Sequence, residues 1–149
     1  QGPGAGQHLL TKQLIRSRCN EHNIILVTFV NGKRADYAFT WVAHVRRLGL
    51  SNYLVGATDQ NALRRLVAER IPCFDMTTNL PEGEWPWGSP SFKALGPHKI
   101  ELIHHTLQWG LELVITDVDA LVLREPFEYM VRRSDGALPD ARSPAHARA

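Results

Sequence analysis

Apolar residues along the chain alternate between helical and strand-like spacing, and most of the elements follow from that rhythm. Leu9, Leu10, Leu14 and Ile15 recur at helical spacing and predict a short amphipathic lead-in helix. Asn23 to Asn31 opens with consecutive apolar and β-branched residues and stops at Asn31-Gly32, which predicts a first buried strand. From Ala35 to Leu48, the residues Phe39, Trp41, Val42, Val45 and Leu48 make one apolar face, and Gly49 ends the helix. The pattern then repeats, with a strand at Tyr53 to Ala57, a helix capped by Asp59 and rich in Leu63, Leu66 and Val67, and a third short strand at Cys73 to Met76.

Thr77 to Phe92 breaks the regularity, because Pro81, Gly83, Pro86, Gly88 and Pro90 exclude a long element. This loop carries Trp85 and Trp87, which either pin it to the fold or stack on a ligand. Beyond Gly96-Pro97, His98 to Trp109 reads as a helix with Ile100, Ile103, His104 and Leu107 on one face and Gly110 as its stop. Leu113 to Ile115 then runs into Thr116 and Asp117 as a buried strand emerging at the end of a sheet. Pro126 opens a last helical stretch over Phe127 to Val131.

Strand and helix alternating in this way imply an α/β fold, a parallel sheet with right-handed crossovers in which residues 24–30, 53–57 and 112–116 are neighbours. The reading divides the chain into a lead-in segment at 1–22, a domain at 23–133 and a disordered tail at 134–149, rich in Ala, Arg and Pro.

Composition narrows the partners. The 149 residues have the length of one domain, and their 44% hydrophobic content can furnish a core. The net charge of +2 with scattered Lys and Arg gives no basic face for nucleic acid. No apolar run approaches membrane-spanning length, and a start at Gln1 without Met or leader pattern is that expected of a fragment or processed product. Cys19 and Cys73 could form one bridge in an oxidising compartment, but they match neither a zinc site nor a disulfide framework, and the reading favours two buried free thiols.

The candidate chemistry lies in Thr116-Asp-Val-Asp119. Two carboxylates two residues apart project to one side of an extended backbone, where they would repel unless they shared a cation. A hard divalent ion prefers such oxygen ligands and leaves positions open for water or phosphate. The competing reading is an ordinary solvated turn, since Asp-x-Asp is common. Lys99, read at the start of its helix, is unfavourable for the helix dipole, so it is either kept for an anion or simply exposed. His104 and His105 point about 100° apart on a helix and cannot form a two-ligand metal face.

Several ordered motifs then point further. Trp87-Gly-Ser-Pro-Ser-Phe92, Gly96-Pro-His-Lys-Ile100 and Gly110 to Pro126 with its Asp-Val-Asp resemble the nucleotide-diphospho-sugar transferases of plant and green-algal cell walls, above all the extensin-type arabinosyltransferases. Arg46-Arg-Leu-Gly-Leu50, Leu54-Val-Gly-Ala-Thr-Asp59 and Pro72-Cys-Phe-Asp-Met76 resemble the same family, so the likeness covers roughly residues 20–133.

The resemblance implies a Golgi-lumenal glycosyltransferase with a Rossmann-like GT-A nucleotide-sugar-binding sheet, using Mn2+ or Mg2+ and a UDP-sugar donor. It implies retaining transfer of a pentosyl, specifically arabinosyl, group to a glycan or hydroxyproline-rich glycoprotein. Carried over by motif, Asp119 would hold the metal, Asp117 would touch the ribose or metal-bound water, and Lys99 would approach the diphosphate. Thr28, Phe29 and Asn31, at the end of the first strand, would hold the nucleoside. No second carboxylate pair suggests a glycosidase-like double displacement.

After Pro126 the family continues into an acceptor-binding half, whereas here Ser134-Asp-Gly-Ala-Leu-Pro139 leads into the tail. The expectation is therefore a sheet incomplete on its C-terminal side, a truncated donor-binding portion without a third metal ligand, stem or anchor; His146 in the tail is a poor substitute ligand. Two alternatives stand beside transfer: a non-catalytic remnant of the fold, and a haloacid-dehalogenase-like phosphatase using Asp-x-Asp as a nucleophile motif.

Overall fold

The structure is a computed structural model and describes residues 8–76 and 88–130. Among these residues four strands, β1 (Ile24–Val30), β2 (Tyr53–Ala57), β3 (Cys73–Asp75) and β4 (Glu112–Ile115), form one sheet in the order β3-β2-β1-β4. Every pairing is parallel, with Leu26 opposite Tyr53 and Ile24 opposite Glu112. The three strand segments expected to be neighbours lie side by side, and the α/β expectation is borne out.

Alternation along β1 explains why it is buried at every position. Leu26 and Val30 face one way and join Trp41, Val42 and Val45 of α2 (Ala35–Arg47) and Leu63 and Leu66 of α3 (Gln60–Ala68). Ile25, Val27 and Phe29 face the other way and meet Ile15 of α1 (Lys12–Arg18), Leu102 of α4 (Pro90–Gln108) and Leu111. The molecule is thus helix, sheet, helix in three layers. Burial of each large aliphatic side chain in these layers stabilises by about 1.5–3 kcal/mol, which outweighs the local preferences of single residues.

Strand and cap chemistry matches the sequence closely in the first half. Asp59 caps α3 with its side chain accepting from the Ala62 N–H at 2.7 Å, and Gly49 takes φ +75° after α2 as a helix stop requires. The lead-in helix differs from expectation: Thr11 caps it through the Leu14 N–H, leaving Leu9 and Leu10 outside. Leu9 instead bridges to Asp75 in parallel, and Asp75 N–H donates to the His8 carbonyl at 2.8 Å, extending the sheet beyond β3.

Helix α4 departs most from the sequence reading. It begins at Pro90, inside the stretch read as loop, and runs through Gly96 and Pro97. Ser89 is its N-cap, accepting from the Phe92 N–H, and Pro90 at the first helical position has no N–H to leave unpaired. Pro97 removes one rung of the helix ladder on an exposed position, a cost of about 3 kcal/mol that the remaining turns carry. The apolar face read from the sequence is not the one that packs on the sheet: Ile100 is 66% and Leu107 58% exposed, whereas Leu102 and Thr106 are buried. The sheet-facing stripe is Leu95, Lys99, Leu102, Thr106 and Trp109, at helical spacing and buried or half-buried throughout.

At the C-terminal side, a single 3-10 turn at Phe127–Tyr129 replaces the expected helix. Trp85, Trp87, Val131 and the tail with His146 lie outside the described residues.

Candidate functional site

The strand order creates a place for a ligand. The chain steps from β1 outward to β2 and β3, then returns over the sheet through α4 to the opposite side of β1. Where the direction of winding reverses, the segments leaving the carboxyl ends of two adjacent parallel strands separate and leave a crevice. Here those strands are β1 and β4. A cavity of about 640 Å³ opens at their carboxyl ends, lined by Phe29, Val30 and Asn31 on one side and Thr116, Asp117, Val118 and Asp119 on the other. Arg34 and Tyr37 at the start of α2, Thr58 after β2, and Phe92, Leu95 and Lys99 of α4 complete the wall.

The acidic pair sits on a turn. Ala120 N–H donates to the Asp117 carbonyl at 3.0 Å, so the chain bends immediately after Thr116 and the strand alternation used to aim both carboxylates does not apply. Both Asp117 and Asp119 are exposed and both still line the cavity, because the turn itself forms part of its wall. Thr116 anchors this turn: its Oγ1 accepts from the indole N–H of buried Trp41 at 3.1 Å. Val118 and Val122 pack on the α2 side of the core, leaving the intervening Asp119 at the surface.

Lys99 supplies the positive charge. It is ten positions into α4 rather than in its first turn, so the helix-dipole argument for it fails. Its place on the sheet-facing stripe carries the ammonium to 3.7 Å from Asp117 Oδ1 and 5.1 Å from the centre of the Phe29 ring.

The corner after β1 is held from three sides. The buried Asp59 carboxylate accepts from the Gly32 N–H at 2.9 and 3.1 Å while it caps α3, and Arg65 Nη1 donates to the Gly32 carbonyl at 2.8 Å. A Cβ on Gly32 would lie 2.5 Å from Asn61 Nδ2, so only glycine fits between this corner and α3. Asn31, just before Gly32, and Arg34, two residues after it, are thereby positioned at the cavity wall. Arg34 Nη1 donates to Tyr37 Oη at 3.3 Å, with the guanidinium 5.4 Å over the ring.

Of the residues proposed from sequence, Phe29, Asn31, Lys99, Asp117 and Asp119 meet in this one cavity. Thr28 does not line it: the side chain is fully buried within the sheet, and its Oγ1 has no hydrogen-bond partner among the described residues. Sequence reasoning missed Arg34 and Tyr37, whose only signal is their i,i+3 spacing just after the first strand, and Thr58 and Leu95, which only the strand order brings in.

Two carboxylates are hard oxygen donors, and the Lys99 ammonium beside Asp117 shows the kind of charge that position accepts. Among the described residues no group of three or more His, Cys, Asp or Glu side chains could hold a metal. The pair therefore fits a divalent ion only where ligand and water oxygens complete its shell. The cysteines stand apart from this site. Both are free, and burial pushes the Cys73 thiol up to about 11 and the Cys19 thiol up as well.

Residues 48–141 match the model of the nucleotide-diphospho-sugar transferase family. The chain belongs to that family. Among similar members from Arabidopsis thaliana, Arabinosyltransferase XEG113 is 40% identical over 126 residues, covering 85% of this chain and 19% of the relative. Beta-arabinofuranosyltransferase RAY1 is 23% identical over 72% of this chain and 20% of its own length, and Arabinosyltransferase RRA2 24% identical over 74% and 26%. The chain thus spans about a fifth to a quarter of these transferases, and no solved structure matches it significantly. The segment shared with this transferase family includes β2, α3, β3, α4 and β4, and with them the Asp-Val-Asp turn and Lys99.

Proposed function

We propose that the cavity between β1 and β4 binds a nucleoside-diphosphate sugar, a UDP-sugar in the first instance, together with Mn2+ or Mg2+ at Asp117 and Asp119. The observation that carries this reading is the convergence of Asp117, Asp119 and Lys99 with the end of β1 in one crevice at the switch point of the sheet. Asn31, Phe29 and the Arg34–Tyr37 pair form the wall for the nucleoside, and the charged side receives the diphosphate. Departure of the sugar leaves negative charge on the diphosphate, and a Lys99 ammonium lining the same cavity supports a role in stabilising that charge. A divalent cation bound there would supply further electrostatic stabilisation of the leaving diphosphate.

In this reading the chain is the donor-binding part of a retaining pentosyl, in particular arabinosyl, transferase acting on a glycan or hydroxyproline-rich glycoprotein in the Golgi lumen. The relatives' names support the arabinosyl choice. No helix among the described residues is long and apolar enough to cross a membrane.

Calorimetry with UDP and Mn2+, separately and together, tests the donor site; tight binding of the pair and weak binding of Mn2+ alone is the expected result. Incubation with UDP-arabinose and a hydroxyproline-rich peptide then tests transfer. Release of inorganic phosphate from p-nitrophenyl phosphate would instead favour a phosphatase, and absence of nucleotide binding would leave the fold without its donor function.

A further inference from the structure

Lys99 already neutralises the carboxylate that the metal would need. Its ammonium lies 3.7 Å from Asp117 Oδ1, and its side chain is 30% exposed against 77% for Asp117, so the lysine is the better anchored partner. Two features hold it there. Its stem belongs to the sheet-facing stripe of α4, and its ammonium stands 5.1 Å from the Phe29 ring centre, within cation–π range. Phe29 is itself fixed by packing: a Cβ at Gly56 would come 2.7 Å from Phe29 Cδ1, so the absence of a side chain at Gly56 is what admits the ring.

From this geometry we propose that Lys99 is a resident counter-ion of Asp117 that is handed to the diphosphate when a divalent cation enters, so that it opposes the metal alone and favours the metal with nucleotide. The proposal rests on the donor-site reading above. The physical reason is competition. An ammonium and a divalent ion cannot both stand against one carboxylate without repelling each other, and within about 4 Å that repulsion is strong unless an anion lies between them. A diphosphate in the same cavity is such an anion. With it present the ammonium exchanges one oxygen acceptor for another, Asp117 is freed, and both cations are satisfied. Metal and nucleotide then strengthen each other's binding by the same factor.

A lysine that only contacts phosphate behaves differently, because its removal leaves the affinity for metal alone unchanged. The two cases separate in one experiment on the full chain. Mn2+ binding is followed by the loss of the free-ion paramagnetic resonance signal, without nucleotide and then with saturating UDP, for wild type, Lys99→Met and Lys99→Arg. Lys99→Met is expected to bind Mn2+ alone about two- to fivefold more tightly, the scale of one partly exposed ion pair, while UDP improves that binding by a smaller factor than in wild type. Lys99→Arg, which keeps the cation, should retain weak binding of Mn2+ alone and strengthening by UDP.

Unchanged or weaker binding of Mn2+ alone by a folded Lys99→Met, with wild type still binding Mn2+ and UDP together, overturns the handover and leaves the donor site standing. Failure of wild type to bind Mn2+ even with UDP overturns both. A thermal transition matching wild type establishes that each variant is folded. Should Lys99→Met lack one, Lys99→Gln replaces it with the same expected result.

Discussion

The indole N–H of Trp41 donates to Oγ1 of Thr116 at 3.1 Å, joining residues 75 apart in the chain. Trp41 is fully buried in the α2 layer and meets Tyr53 edge-on at 6.0 Å, so its ring has little freedom. Thr116 is the last residue before the acidic turn. A residue of the core thereby sets where the turn begins, and the position of Asp117 follows from the packing of α2.

Thr116→Val keeps the shape and removes the acceptor, leaving the Trp41 N–H without its partner. The expected cost is about 1–2 kcal/mol in urea denaturation, with most of it restored in Thr116→Ser. Nucleotide affinity should fall in the valine variant under conditions where it remains folded, because the turn loses its anchor. Equal stability of the valine and serine variants would show that the bond contributes nothing.

The Gly32 corner gives a second expectation. Gly32→Ala places a Cβ against Asn61 and strains the bonds that Gly32 makes to Asp59 and Arg65. Overpacking of this kind costs about 1–3 kcal/mol, and here it also moves Asn31 and Arg34, so UDP affinity should fall with stability. Adding Asn61→Gly removes the opposing side chain and should recover binding in part. If the double variant binds no better than Gly32→Ala, crowding at Asn61 is not the cause.

How far the sequence reveals this molecule depends on which force decides each element. β1, β2 and the Asp59 cap were legible because a run such as Ile24-Ile-Leu-Val27 has few alternatives to a buried strand, and because the cap is a local hydrogen bond. Helix α4 was misread because it offers two rival stripes. Ile100, Ile103 and Leu107 are the more apolar, yet the stripe through Leu95, Lys99, Leu102 and Thr106 packs on the sheet, a choice made by tertiary contact that periodicity alone cannot make. Gly96-Pro97 misled further, although Ser89-Pro90 carried a proper helix-start signal. At the site, Asp117, Asp119 and Lys99 were visible as chemistry, while Arg34, Tyr37, Thr58 and Leu95 join only once the order β3-β2-β1-β4 is known. The aim of the two carboxylates was inferred from an extended backbone, and the turn at Asp117–Ala120 replaces that reason with another.

Stability should depend on alkaline pH through Cys73. Burial raises its thiol from 9.0 to about 11 in the folded chain. Between those values the folded state holds a proton that the unfolded state has lost, so stability is full below about pH 9 and declines as pH rises toward 11. In a Cys19→Ala background, urea midpoints measured between about pH 8 and 10.5 should fall less steeply after Cys73→Ala than before it. Mild reduction should leave the fold intact, since both thiols are free.

The last expectation separates the two carboxylates. Asp119 lies on the turn at the cavity, and Asp119→Asn removes a charge at nearly constant shape. Two protein carboxylates are too few for a hexacoordinate ion, so diphosphate oxygens must complete the shell, and affinity for metal and nucleotide should rise together. Loss of the Asp119 charge should abolish that mutual strengthening while leaving UDP alone bound as in wild type. Asp117→Asn acts on two partners at once, because it also releases Lys99. It should weaken Mn2+ binding in the presence of UDP by less than Asp119→Asn does, as the freed ammonium becomes fully available to the diphosphate. Calorimetry of both variants with Mn2+ and UDP, apart and combined, measures all three terms; equal coupling in Asp119→Asn and wild type, with both folded, would remove Asp119 from the metal site.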